Sequence, residues 1–111
     1  MTAPDDQPAA VQRSVDAIVR QAMTDHLRSL VAGDPARVRD DFAESVRDRI
    51  PEFEALAPPG LGGFEMVHDR VDGETSHMFV RLMGAQHQGL EWVWQHIDGR
   101  FRIVNVRQTG N

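Results

Sequence analysis

Only a handful of side chains in this sequence pair a titratable group with an apolar setting, and they limit the chemistry on offer. His26 lies four residues from Ala22 and Leu30 and seven from Val19, which puts it on the apolar stripe of a helix. An imidazole there suits a pocket acid, base or hydrogen-bond donor, because histidine titrates at about pH 6.5. The commoner state of such a residue is a buried histidine satisfied by a neighbour. Glu91 alternates with Val93 and Gln95 along a strand-like run. A carboxylate on an apolar sheet face has a raised pKa and can serve as a general base, with Gln95 orienting a carbonyl. The plainer alternative is a strand-end glutamate that is solvated or paired with an arginine such as Arg102.

His68, His77 and His96 form a row across three strands if the central strands pair as expected, which raises metal binding or a pH switch. Without carboxylate support, packing at an interface is the favoured role, and no metal is assigned. Trp92 and Trp94 suit stacking on an aromatic ligand or on a single nucleic-acid strand, but a net charge of −5 argues against the second. The run of Arg and Asp from Arg37 to Arg49 reads as a solvated helix face with ion pairs at three- and four-residue spacing.

All twelve basic residues among the 111 are Arg, and the chain has no Cys, Lys or Tyr. Thiol chemistry, disulfides and thiolate zinc sites are therefore excluded, and His, Glu and Asp remain as acid–base groups. No cofactor is assigned. The acidic balance argues against nucleic acid as a partner. No apolar run approaches the ~20 residues of a membrane helix, and no leader pattern is visible, so the expectation is a cytoplasmic protein with no membrane partner.

The elements that must position these groups are legible from periodicity. Residues 1–7 are polar and read as a flexible tail, and residues 8–108 as one domain. Pro8 opens a helix of about six turns, with Val11, Val15, Ile18, Val19, Ala22, Leu27, Leu30 and Val31 at helical spacing and Gly33 ending it. Asp34 caps and Pro35 opens a second helix, whose stripe is Val38, Phe42, Val46, Ile50 and Phe53. Pro51 is expected to break it, with a short helical piece near Glu52–Ala57. After the Pro58–Gly63 loop come four strands, in two hairpins turning at Asp72-Gly73 and Asp98-Gly99. The layout is α+β, with N-terminal helices on one face of a four-stranded antiparallel sheet.

Two-residue turns pair Val71 with Glu74, His68 with His77, Ile97 with Arg100, and Trp94 with Ile103. Taking Gly84–Gly89 as the central loop pairs Met83 with Leu90, Phe79 with Trp94, and His77 with His96. Alternation then places Met78, Glu91, Val93 and Gln95 on the face turned to the helices, and Phe79, Trp92, Trp94, His77, His96 and Phe101 on the other. Aromatic residues on an uncovered face mark a contact surface, so a sheet-to-sheet homodimer is expected.

The helix junction Leu30-Val31-Ala32-Gly33-Asp34-Pro35-Ala36, the continuation to Asp41-Phe42-Ala43, and the closing hairpin Leu90–Val106 with Asp98-Gly99-Arg100-Phe101-Arg102-Ile103-Val104 resemble the nuclear-transport-factor-2-like superfamily. The resemblance covers most of residues 9–108. It implies a cystatin-like cone with a curved sheet, a pocket between the helices and the concave face, and frequent dimers through the other face. Ketosteroid isomerases and SnoaL-type polyketide cyclases share this fold. Setting the junction and last hairpin in line with the isomerases puts His26 at their helix tyrosine and Val93 at their strand aspartate. Their general base falls near Ile50-Pro51. With two of the three positions apolar, the isomerase activity does not carry over (that enzyme is itself a known pKa-tuning example).

The expected function is a small homodimeric domain that binds a small apolar ligand through Gln95, Val93, Met78 and Phe42, or an accessory module without chemistry. Two alternatives stand beside it: a cyclase- or isomerase-like enzyme using His26 and Glu91, and a protein-interaction subunit using the aromatic sheet face.

Overall fold

A computed structural model describes the backbone of residues 6–109 and the side chains of residues 17–109. Residues 1–5 of the expected tail, and the Val11 and Val15 side chains of the expected stripe, lie outside the described residues. Three helices, α1 (Asp6–Ala32), α2 (Pro35–Asp40) and α3 (Ile50–Glu54), precede four strands: β1 (Gly63–Asp72), β2 (Thr75–Met83), β3 (His87–Ile97) and β4 (Arg100–Gln108). The strands form one antiparallel sheet in the order β1-β2-β3-β4. The architecture is α+β.

The junction after α1 forms as its residues dictate. Gly33 takes φ +74° and donates to the Leu30 carbonyl, while the Asp34 amide donates to Ser29, the paired bonds of a Schellman ending. The Asp34 carboxylate then accepts from the Arg37 amide and caps α2. The long second helix expected through Phe53 does not form. α2 stops at Asp40 because the chain at Asp41–Ala43 is drawn into a parallel bridge with β4. Ile103 donates to the Asp41 carbonyl at 2.8 Å, and Ala43 donates to the Ile103 carbonyl at 2.8 Å. A 3-10 segment (Glu44–Arg49) follows, and Pro51 opens α3 in the first turn, where its missing N–H costs nothing.

The two hairpins form near the expected turns, but the central connection does not. Gly84, Ala85 and Gln86 join β2 to β3, so Met83 pairs with His87, Phe79 with Glu91 and Met78 with Trp92. The connection is three residues shorter than Gly84–Gly89. An odd slip turns every β3 side chain to the opposite face. The first hairpin turns at Gly73-Glu74 and pairs Asp72 with Thr75, an even change that keeps faces as they were. Register shifts between Met66 and His68 on β1, and between Val93 and Trp94 against β4, add further corrections. One carries Phe64 and Met66 to the helix side with Leu82 and Val80, and the other sets Val106 opposite Trp92.

The core follows from this register. Val19, Met23 and Leu27 of α1, Val38, Ile50 and Phe53 of the shorter helices, Phe42 of the bridge to β4, and Met78, Val80, Leu82, Leu90, Trp92, Trp94, Ile103 and Val106 of the sheet form one buried cluster. Ile18, expected on the α1 stripe, is 58% exposed, and Met23 takes its place inside. Among the described residues no helix is long and apolar enough to cross a membrane.

Candidate functional site

Two features bring His26 and Asp41 together. The Gly33 junction folds α2 back against α1, and the bridge to Ile103 fixes the chain at Asp41 beneath α1. His26 Nδ1 lies 2.9 Å from Asp41 Oδ2, and Asp41 Oδ1 accepts from Arg100 Nη2 at 2.8 Å. Arg100 also reaches Asp40 Oδ2 through Nη1 at 3.3 Å. His26 is 1% exposed, with its ring edge-on to Phe42, Trp92 and Trp94 at centroid distances of 5.8, 6.3 and 5.9 Å.

A carboxylate can only accept, so Nδ1 carries a proton, and in the neutral form of the ring the lone pair is at Nε2. Nε2 has no hydrogen-bond partner among the described residues. No fully buried side-chain N or O among them is left unpaired, so Nε2 reaches accessible space. That space is a narrow crevice of about 20 Å³ bordered by His26, Leu30, Phe42, Phe53, Leu82 and Trp92. It takes one water-sized guest. Its far wall is α3, where Phe53 stacks on Phe42 at 5.4 Å and Arg49 lies 4.9 Å over the Phe53 ring.

A wider cleft of about 540 Å³ lies beside the middle of α1, between Ile18 and Ala22 and the two hairpin turns, with Ser76, His96, Arg100 and Phe101 on the sheet side. Trp94, the cross-strand partner of Ser76, donates its indole N–H to Met23 Sδ at 3.0 Å and packs edge-on to the His26 ring.

Glu91 is not part of either cavity. The corrected register places it on the outer face of the sheet, away from His26, so the expected pairing of the two in one site is overturned. Its side chain is covered by its neighbours, with Oε2 2.7 Å from His77 Nδ1 and Oε1 accepting from Arg107 Nε. Burial pushes its carboxyl upward. The hydrogen bonds from His77 and Arg107 and the Arg107 charge outweigh burial and hold it below the ordinary value.

Met78 and Phe42 lie on the helix side, as expected of ligand-side residues, and both are buried in the core. Val93 and Gln95 share the outer face with Glu91, His77 and Phe79, so they do not face the helices. Trp92 and Trp94 are core residues, 3% and 0% exposed, and His96 and Phe101 pack edge-on at 5.1 Å on the cleft side. The outer face therefore lacks four of the six aromatic and histidine residues expected there. It holds Arg81, Glu91, Gln95 and Arg107 around Phe79 and Val93, the polar aspect an antiparallel sheet turns to water. His96 points away from His68 and His77, so the three histidines do not converge.

Asp41 was missed as a site residue because it sits inside the Arg37–Arg49 charge run. A signal for it existed. His26 stands seven residues before Gly33 and Asp41 eight after, so a chain reversal at that glycine sets the two side by side. No family model, curated protein or solved structure matches the sequence.

Proposed function

We propose that the chain is a nuclear-transport-factor-2-like domain that binds a small, largely apolar molecule on the helix side of its sheet, beside His26. The observation that carries this reading is the His26–Asp41 pair, which leaves one bare lone pair among Phe42, Trp92 and Trp94. A helix junction at Gly33-Asp34 followed by a bridge into the last strand supports the family reading.

Such an imidazole accepts a hydrogen bond from a ligand hydroxyl or takes a proton from a carbon acid, the step that isomerases and cyclases require. Asp41 then steadies the imidazolium. Glu91 has no part in this chemistry. A guest larger than water needs α3 to move outward. That helix is five residues long and enters through a 3-10 segment, so it is the cheapest wall to displace.

The test is NMR of the His26 ring during titration with neutral cyclic ketones and phenols, for the wild-type chain and for Phe53→Ala, which enlarges the crevice. Movement of the His26 signal, stronger in Phe53→Ala, is expected. A panel that leaves His26 unmoved in both proteins overturns the reading.

A further inference from the structure

We infer that the cleft at the turn end of the sheet is a separate small-molecule site, built for a neutral, largely apolar compound with one hydroxyl or carbonyl group. At about 540 Å³ it falls within the size of ligand cavities, about 300–1,000 Å³. Ile18, Ala22 and Phe101 supply apolar walls. Ile18 is 58% exposed, an apolar side chain at the mouth with nothing covering it among the described residues.

The polar group that points to a ligand is Ser76. The residue is 1% exposed, yet its hydroxyl has no hydrogen-bond partner among the described residues. Since no fully buried side-chain oxygen there is left unpaired, the hydroxyl reaches accessible space, and the space it borders is the cleft. A hydroxyl both donates and accepts, so it matches an alcohol, a phenol or a carbonyl.

Charge selects against ions. Arg100 is the one arginine on the cleft among the described residues, and it is committed to Asp40, Asp41 and, through Nε, the Phe101 carbonyl. Glu74 adds a third carboxylate at the exposed turn. An anion therefore meets a guanidinium already neutralised by Asp40 and Asp41, with the Glu74 carboxylate beside it. A cation that goes past Glu74 loses its hydration and meets no further carboxylate among the described lining residues, only the Ser76 hydroxyl and the His96 ring. The cleft and the His26 crevice share no lining residue among the described ones, so the inference does not depend on the function proposed for His26.

The test is an amide and indole NMR titration of the full chain with benzyl alcohol, benzoate and benzylammonium as probes. Benzyl alcohol is expected to move the Ser76 amide and the Trp94 indole signals, with benzoate and benzylammonium at least about tenfold weaker. Ser76→Ala is expected to weaken benzyl alcohol about fivefold, the worth of one hydrogen bond. Ala22→Phe fills the cleft and should abolish the response. Because that substitution also touches α1 packing, Ile18→Arg serves as a second variant: it places a charge at the exposed mouth and should improve benzoate relative to benzyl alcohol. Equal affinity for all three probes, no movement at Ser76 and Trp94, or a benzyl alcohol response indifferent to both Ser76→Ala and Ile18→Arg overturns the inference.

Discussion

His26 Nδ1 and Asp41 Oδ2 are 2.9 Å apart, and the same carboxylate holds Arg100 with its other oxygen. One aspartate thus serves a buried imidazole from α1 and a guanidinium from β4, and ties the helical half of the chain to the sheet.

Asp41→Asn separates these two duties. Asparagine has one acceptor oxygen and turns an NH₂ toward the other partner, so it satisfies His26 or Arg100 but not both. A loss of about 1–3 kcal/mol is expected. Urea unfolding measures it, and an unchanged midpoint would show that the carboxylate is not shared as described.

Trp92 and Trp94 provide a test of the β3 register. Both are buried against α1 and the short helices, so blue-shifted fluorescence and poor acrylamide quenching are expected. Trp94→Ala should cost about 3–5 kcal/mol, the usual toll of deleting a buried aromatic. Water-like emission from both tryptophans would return them to the outer face.

That register was the least legible part of the sequence, for a physical reason. The Asp98-Gly99 turn has its own chemistry, with both residues at positive φ, and β4 pairs with β3 at Ile97–Arg100 as expected. The Gly84–Gly89 stretch carries two glycines and no turn signature that fixes where the loop ends. Both faces of β3 read as apolar, so alternation alone did not choose between them. The slip moved Trp92 and Trp94 inside and Glu91 out, and with them went the aromatic basis of the expected homodimer. Helix boundaries set by local chemistry, such as Gly33 and Asp34, were readable. The end of α2 was not, because a long-range bond to Ile103 decides it.

Gly84 shows why the central loop is short. A Cβ there would stand 2.7 Å from the Pro59 carbonyl oxygen, and the neighbouring Ala85 amide donates to that same oxygen at 2.9 Å. Gly84→Ala must push backbone against backbone. A destabilisation of about 1–3 kcal/mol is expected from thermal or urea unfolding. Gly99→Ala is a control of a different kind, strained by its φ of +84° with no atom near the added carbon.

Glu91 should leave a mark on acid stability. Its carboxyl is held below the ordinary value of 4.5, so its contribution is fully present above that value and is lost as pH falls through the lower folded-state value. Glu91→Gln should therefore lower stability near neutral pH by about 1–2 kcal/mol and flatten its decline in acid. Unfolding midpoints across the acidic range measure both effects. A variant that keeps the full acid-dependent loss would assign that loss to other carboxylates.

The most direct test of the site is the tautomer of His26 in its neutral form, read from ring-nitrogen chemical shifts. The structure requires the proton on Nδ1, bonded to Asp41, with Nε2 free to accept from a ligand. An Nδ1–H tautomer that is lost in Asp41→Ala is the expected result. A neutral His26 carrying its proton on Nε2, the form free histidine prefers, would contradict the account.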